Sequence, residues 1–232
     1  MMRMIKMELV VFGQYLKQLS FSILFMAVCL SAGMGSTFAL PGIIFMMGMF
    51  SLSNSASNYD EHNGWAAFRL TMPVSRREVV LGRYLFVLAG ALPVSLLVLA
   101  AALGLAALGE ASMLPAVVAR VVRLDADALR AVMFTFAFCS AMGFIIASVF
   151  FKFGQTKATQ WLPFIMLFLG VAPFVLVGFL GKDAMAAAQR ALSFAETPEG
   201  LAAFAAGALV FGLVCYAVSA LISLHIYKAR DL

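Results

Sequence analysis

Six long apolar runs divide the chain, near residues 19–37, 40–57, 84–108, 131–151, 161–181 and 201–226. None alternates polar and apolar with period two, so the pattern predicts helices rather than strands. Each run is close to the roughly 20 residues that a helix needs to cross a bilayer. Only helices and closed barrels satisfy their backbone in that medium. The predicted fold is all-α: one polytopic domain over residues 1–232 with six transmembrane helices.

The polar pieces between the runs are short. In residues 1–18, Ile5, Leu9, Phe12 and Leu16 recur at helical spacing among Arg3, Lys6, Gln14 and Lys17. An amphipathic helix lying in the interface fits this pattern, and so does a basic lead-in to the first span. Pro41 closes a tight connection from the first run to the second. The second run ends in a stripe, Ser51, Asn54, Ser55 and Asn58, spaced as one helical face. Such a stripe lines a translocation path or bonds between helices, and the second use is the commoner one.

The longest charged segment before the third run, residues 58–83, carries Asp60, Glu61, Arg69, Arg76, Arg77, Glu78 and Arg83. Trp65, Phe68 and Met72 predict a short helix with one apolar face, ended at Pro73 because proline disfavours helix in the residue before it. Ser75 and Glu78 then have the spacing of a capping box, with Val74 and Val79 as its hydrophobic staple. The segment therefore predicts a stiff elbow fixed to the start of the third span.

Later signals are local. Pro93 lies within the third span, and Pro163 and Pro173 within the fifth. An amphipathic piece is expected around Val117 to Val122, and Asp125 or Asp127 as the cap of the following helix. A short Ala-rich helix is expected near 184–194, and a helix restarting with Pro198 at its first position. In the sixth run, Ala203 with Gly207 and Ala208 with Gly212 are spaced for close helix contact.

Composition supports the membrane reading. Hydrophobic residues are 64% and charged residues 12%, against about half and about a quarter in soluble domains. Of the 16 Lys and Arg, eleven fall on the side holding both termini and five on the other. The positive-inside rule then places both termini in the cytoplasm and residues 58–83 with them. The net charge of +5 reflects this asymmetry, and no basic stripe with interleaved aromatics points to nucleic acid. Cys29, Cys139 and Cys215 all lie in apolar runs and read as small buried hydrophobes. Arg3 and Lys6 do not open a cleavable signal, because Glu8 and Lys17 follow and the first run leads straight into the second.

What the chain lacks narrows its chemistry. No Asp, Glu, Lys or Arg falls within the spans as drawn, which argues against a proton-driven transporter. The two histidines, His62 and His225, stand outside or at the end of spans. No metal-ligand spacing is present, and Gly181-Lys182-Asp183 lacks the rest of a phosphate-binding loop. No catalytic, cofactor-binding or metal residue is assigned.

Asp60-Glu61-His62-Asn63-Gly64-Trp65, Phe68, Thr71-Met72-Pro73-Val74-Ser75-Arg76-Arg77-Glu78 and Arg83-Tyr84-Leu85 resemble the segment after the second span in small bacterial permeases of type-two ABC exporters. Phe151-Lys152-Phe153-Gly154 with Lys157-Ala158 resembles the matching loop between spans four and five. The resemblance implies a six-span subunit of the plasma membrane, paired with a second permease and driven by a separate ABC ATPase subunit. ATP and magnesium would sit on that ATPase and not on this chain. Residues 61–72 would be the coupling helix, with Asp60, Glu61, Trp65, Phe68, Met72, Ser75, Arg76, Arg77 and Glu78 in the coupling region. The direction of transport, export, follows from the resemblance alone. A non-transporting scaffold or accessory subunit is the alternative that the missing intramembrane charge also allows.

Overall fold

The computed structural model describes residues 25, 36–62, 75–111, 113–179, 186, 193–194 and 197–228. Among them every regular element is a helix: α1 (Leu40–His62), α2 (Arg76–Glu110), α3 (Ala116–Val121), α4 (Ala126–Phe179) and α5 (Pro198–Lys228). Three are long and apolar enough to cross a membrane: Arg76–Glu110, Asp127–Val171 within α4, and Glu199–Tyr227. The expected first span, the N-terminal helix and most of the Ala-rich piece lie outside the described residues.

Two elements differ from the sequence expectation. The second span was expected to end at residue 57, yet α1 runs to His62. Its first half is apolar and its second half carries serines, asparagines, Asp60 and Glu61, so it is not among the three apolar helices. The expected fourth and fifth spans form one element, α4, broken at Gly154, whose φ of 73° and ψ of −176° are non-helical. That backbone region is essentially reserved for glycine. Ile146 and Phe150 before the break cluster with Ala158 and Leu162 after it, around Met46 and Phe50 of α1.

α1 is the central helix. Phe45, Met49 and Leu52 are buried against Val80, Tyr84, Phe86 and Val87 of α2 and Phe144 and Ala147 of α4. Glycines allow the approach. A Cβ on Gly42 would stand 2.5 Å from the Thr135 carbonyl carbon and 2.6 Å from the Phe136 nitrogen, both main-chain atoms of α4. Gly90 of α2 faces Leu52, and Gly143 of α4 faces Met49. Without a hydrophobic drive between helices in lipid, such close contact supplies much of the association. The two pairs expected to do this in the last span differ. Ala203 and Gly207 face outward, and nothing lies within 4 Å of a Cβ on Gly207, while Gly212 makes ordinary contact with Ser140. The apolar side chains on the outer faces, among them Leu97, Phe168 and Leu213, are exposed as lipid-facing residues are.

Hydroxyls join α2, α4 and α5. The Tyr84 hydroxyl bonds Ser219 at 2.5 Å and Ser223 at 2.8 Å, with Ser148 at 3.3 Å. Ser219 donates to the Phe144 carbonyl at 2.6 Å. The Tyr84 ring stacks on Phe151, with centroids 5.7 Å apart, and meets Tyr216 edge-on.

The opposite end of the bundle is closed by one long-range tie and two local caps. The Thr37 amide and hydroxyl both donate to the Val121 carbonyl at 3.1 Å, tying the entry of α1 to α3. Asp125, one of the two residues expected to cap α4, accepts from the Ala128 amide at 2.7 Å, while Asp127 pairs with Arg130. Thr197 accepts from the Gly200 amide, and α5 starts at Pro198 as expected.

Three substitutions test this packing by thermal unfolding of the purified chain. Gly42→Ala forces α1 from α4 and should cost about 1–3 kcal/mol, whereas Gly207→Ala should leave the midpoint unchanged. Tyr84→Phe removes a buried hydroxyl from the serine cluster and should cost about 1–2 kcal/mol.

Candidate functional site

The charged elbow divides in three. Residues 58–62 belong to α1, residues 76–83 to α2, and 63–74, with the expected Trp65, Phe68 and Met72 and the staple residue Val74, lie outside the described residues. The described parts bracket that segment on both sides.

On the α1 side, Asp60 and Glu61 turn to different partners. Asp60 Oδ2 accepts from Arg83 Nη2 at 2.7 Å, with the two side chains 15% and 8% exposed. Limited solvent access reduces screening and strengthens the pair. The Arg83 guanidinium also lies 5.5 Å from the centre of the Phe151 ring, a cation–π distance. Glu61 reaches the far side of the Gly154 break. Its Oε1 accepts from the Gln155 amide at 2.5 Å. Its Oε2 accepts from the Thr156 amide at 3.1 Å and the Thr156 hydroxyl at 2.7 Å. The first amides of a helix have no partner within it, so Glu61 caps the second part of α4 from another helix. A Cβ on Gly154 would collide with Glu61 Oε1.

On the α2 side the expected capping box forms. The Glu78 amide donates to Ser75 Oγ at 3.2 Å, and the Ser75 amide donates to Glu78 Oε2 at 3.0 Å. The Ser75 amide and hydroxyl hold the exposed Glu78 carboxyl below the ordinary carboxylate value. Val79 is buried directly behind the box. Arg76 Nη1 donates to the Tyr227 carbonyl at 3.4 Å, reaching the end of α5, while Arg77 is exposed.

The stripe Ser51, Asn54, Ser55 and Asn58 is half-buried along α1. The buried hydroxyls of this helix are those of Ser53 and Ser57, one helical face away. With Arg83, Tyr84 and Phe151 they line a cavity of about 10 Å³, near the size of one water. Ser53 Oγ and Asn54 Oδ1 have no hydrogen-bond partner among the described residues. A larger cleft of about 660 Å³ lies between α1, α2, α4 and α5, walled by apolar residues such as Phe45, Leu92, Phe136 and Leu209.

Sequence reading brought out Asp60, Glu61, Ser75 and Glu78 but missed their long-range partners. Arg83 stood one residue before an expected span, and Gly154 and Thr156 stood in a loop noted only for its resemblance. The i, i+4 pair Ser219 and Ser223, a polar face on an apolar helix, was the signal for the Tyr84 cluster.

A family model described as ABC-2 family transporter protein matches residues 3–228. No curated protein matches, and no solved structure matches. The match spans both the apolar helices and the bracketed segment, and so the chain belongs to the ABC-2 transporter family as a multi-pass membrane component of transport, not itself a catalyst.

Proposed function

We propose that this chain is the permease of an ABC exporter of the bacterial plasma membrane, working with a separate ATPase subunit and a second permease copy or related chain. The coupling helix falls within residues 61–72, and Trp65, Phe68 and Met72 are its contact face for the ATPase. ATP and magnesium are held by that partner. The bracket around the segment carries this reading: Asp60 and Glu61 on one side are bonded to α2 and α4, and on the other Arg76, within the Ser75–Glu78 box, is bonded to the end of α5. A displacement of the segment is then delivered to helices and not dissipated in a loose loop. Arg76 and Arg77, beside the box, complete the coupling region, and Arg77 is free of the bundle surface to meet the ATPase or lipid headgroups.

The fold has six spans with both termini in the cytoplasm. At about 1.5 Å per residue the 54 residues of α4 would reach roughly 80 Å, more than twice the hydrocarbon thickness. The Gly154 break and the clustering of residues on either side of it favour two spans. The apolar walls of the larger cleft suit an apolar cargo or a lipid chain better than an ion.

The test is co-expression with an ABC ATPase encoded beside this chain, purification by a tag on the permease, and measurement of ATPase recovery and activity. Phe68→Glu and Trp65→Ala should each lower ATPase recovery about tenfold or more while membrane insertion is kept. Undiminished recovery with both variants would sink the coupling assignment.

A further inference from the structure

We infer that Glu61 is a positioning residue that locks the Gly154 break of α4 to the end of α1, giving the coupling segment a second output besides α2. The inference rests on the permease reading for the source of the motion, whereas the lock is read from geometry. Glu61 is the penultimate residue of α1, with only His62 between it and residues 63–74. Its carboxylate takes three hydrogen bonds from residues 155 and 156, so each oxygen is engaged and its direction is fixed.

The receiving side is shaped for this group. Residues 155–179 begin with amides that only an outside acceptor can satisfy, and the positive end of the helix dipole favours an anion there. Gly154 provides both the backbone turn and the space. Its φ of 73° presents the Gln155 amide to Glu61, and any side chain would occupy the position of Oε1. The junction therefore depends on a glycine and a carboxylate that are far apart in sequence.

The neighbouring contacts make the lock directional. Asp60 joins the same end of α1 to Arg83 of α2, and Arg83 rests on Phe151, three residues before the break. Movement of residues 63–74 thus meets two stiff connections. Asp60 passes it to α2, and Glu61 passes it to the second half of α4. Without Glu61, α2 would still follow the coupling segment, while residues 155 and 156 would lose their direct tie to the end of α1.

Hydrogen–deuterium exchange of the full chain in lipid nanodiscs reads the lock directly, because the Gln155 and Thr156 amides have no acceptor in their own helix. Glu61→Ala should speed exchange at these two amides about tenfold. Glu61→Gln, which keeps one acceptor oxygen, should fall between it and the native chain. In the complex with the ATPase, a non-hydrolysable ATP analogue should change exchange over residues 153–158 in the native chain. In complexes compared at equal ATPase content, Glu61→Ala should abolish that response. Unchanged exchange in Glu61→Ala overturns the lock. An equal nucleotide response with and without Glu61 overturns the transmission while leaving the permease reading intact. A native chain that recruits no ATPase overturns the permease reading and the transmission together.

Discussion

Two consecutive carboxylates at the C-terminal end of a helix are an electrostatic liability, because the helix dipole is negative there. α1 carries Asp60 and Glu61 in that position, and the structure resolves the conflict by giving each an opposite partner. Asp60 meets the guanidinium of Arg83. Glu61 meets the positive end of another helix. Neither arrangement can form unless α1, α2 and α4 are already in register. The charges therefore act as a check on the assembly of the three helices, next to residues 63–74.

Register along the rest of α1 is set by shape. Gly42, Gly90 and Gly143 remove side chains where helices touch, and Phe45, Met49 and Leu52 fill the space between. In lipid this dry contact and the hydroxyl bonds of Tyr84 replace the hydrophobic drive that a soluble core would have. The result is a bundle tied by polar bonds near Tyr84 and Arg83 and by apolar and glycine contacts farther along α1. α5 contributes less to the core and exposes most of its length.

Much of this was legible in the sequence because its causes are local. The Ser75–Glu78 box, the Asp125 cap and the Pro198 helix start each depend on residues within four positions, and all three form. The length of α1 was not legible, since its last turn is held by Arg83 and by amides more than ninety residues away. Spacing identifies a face that permits close contact, but only the partner helix decides whether it is used: Gly212 meets Ser140, nothing lies within 4 Å of a Cβ on Gly207, and the closer approaches are at Gly42 and Gly143. The stripe of Ser51, Asn54, Ser55 and Asn58 is half-buried on α1, and the fully buried hydroxyls of that helix, Ser53 and Ser57, lie beside it.

The most direct measurement is a charge exchange across the first of the two α1 connections. Asp60→Lys, Arg83→Glu and the double variant would be compared by thermal unfolding and by recovery of the ATPase. Each single reversal should lower the unfolding midpoint and weaken ATPase recovery, and the double variant should regain most of both. Losses that simply add in the double variant would contradict the view that this ion pair fixes the end of α1.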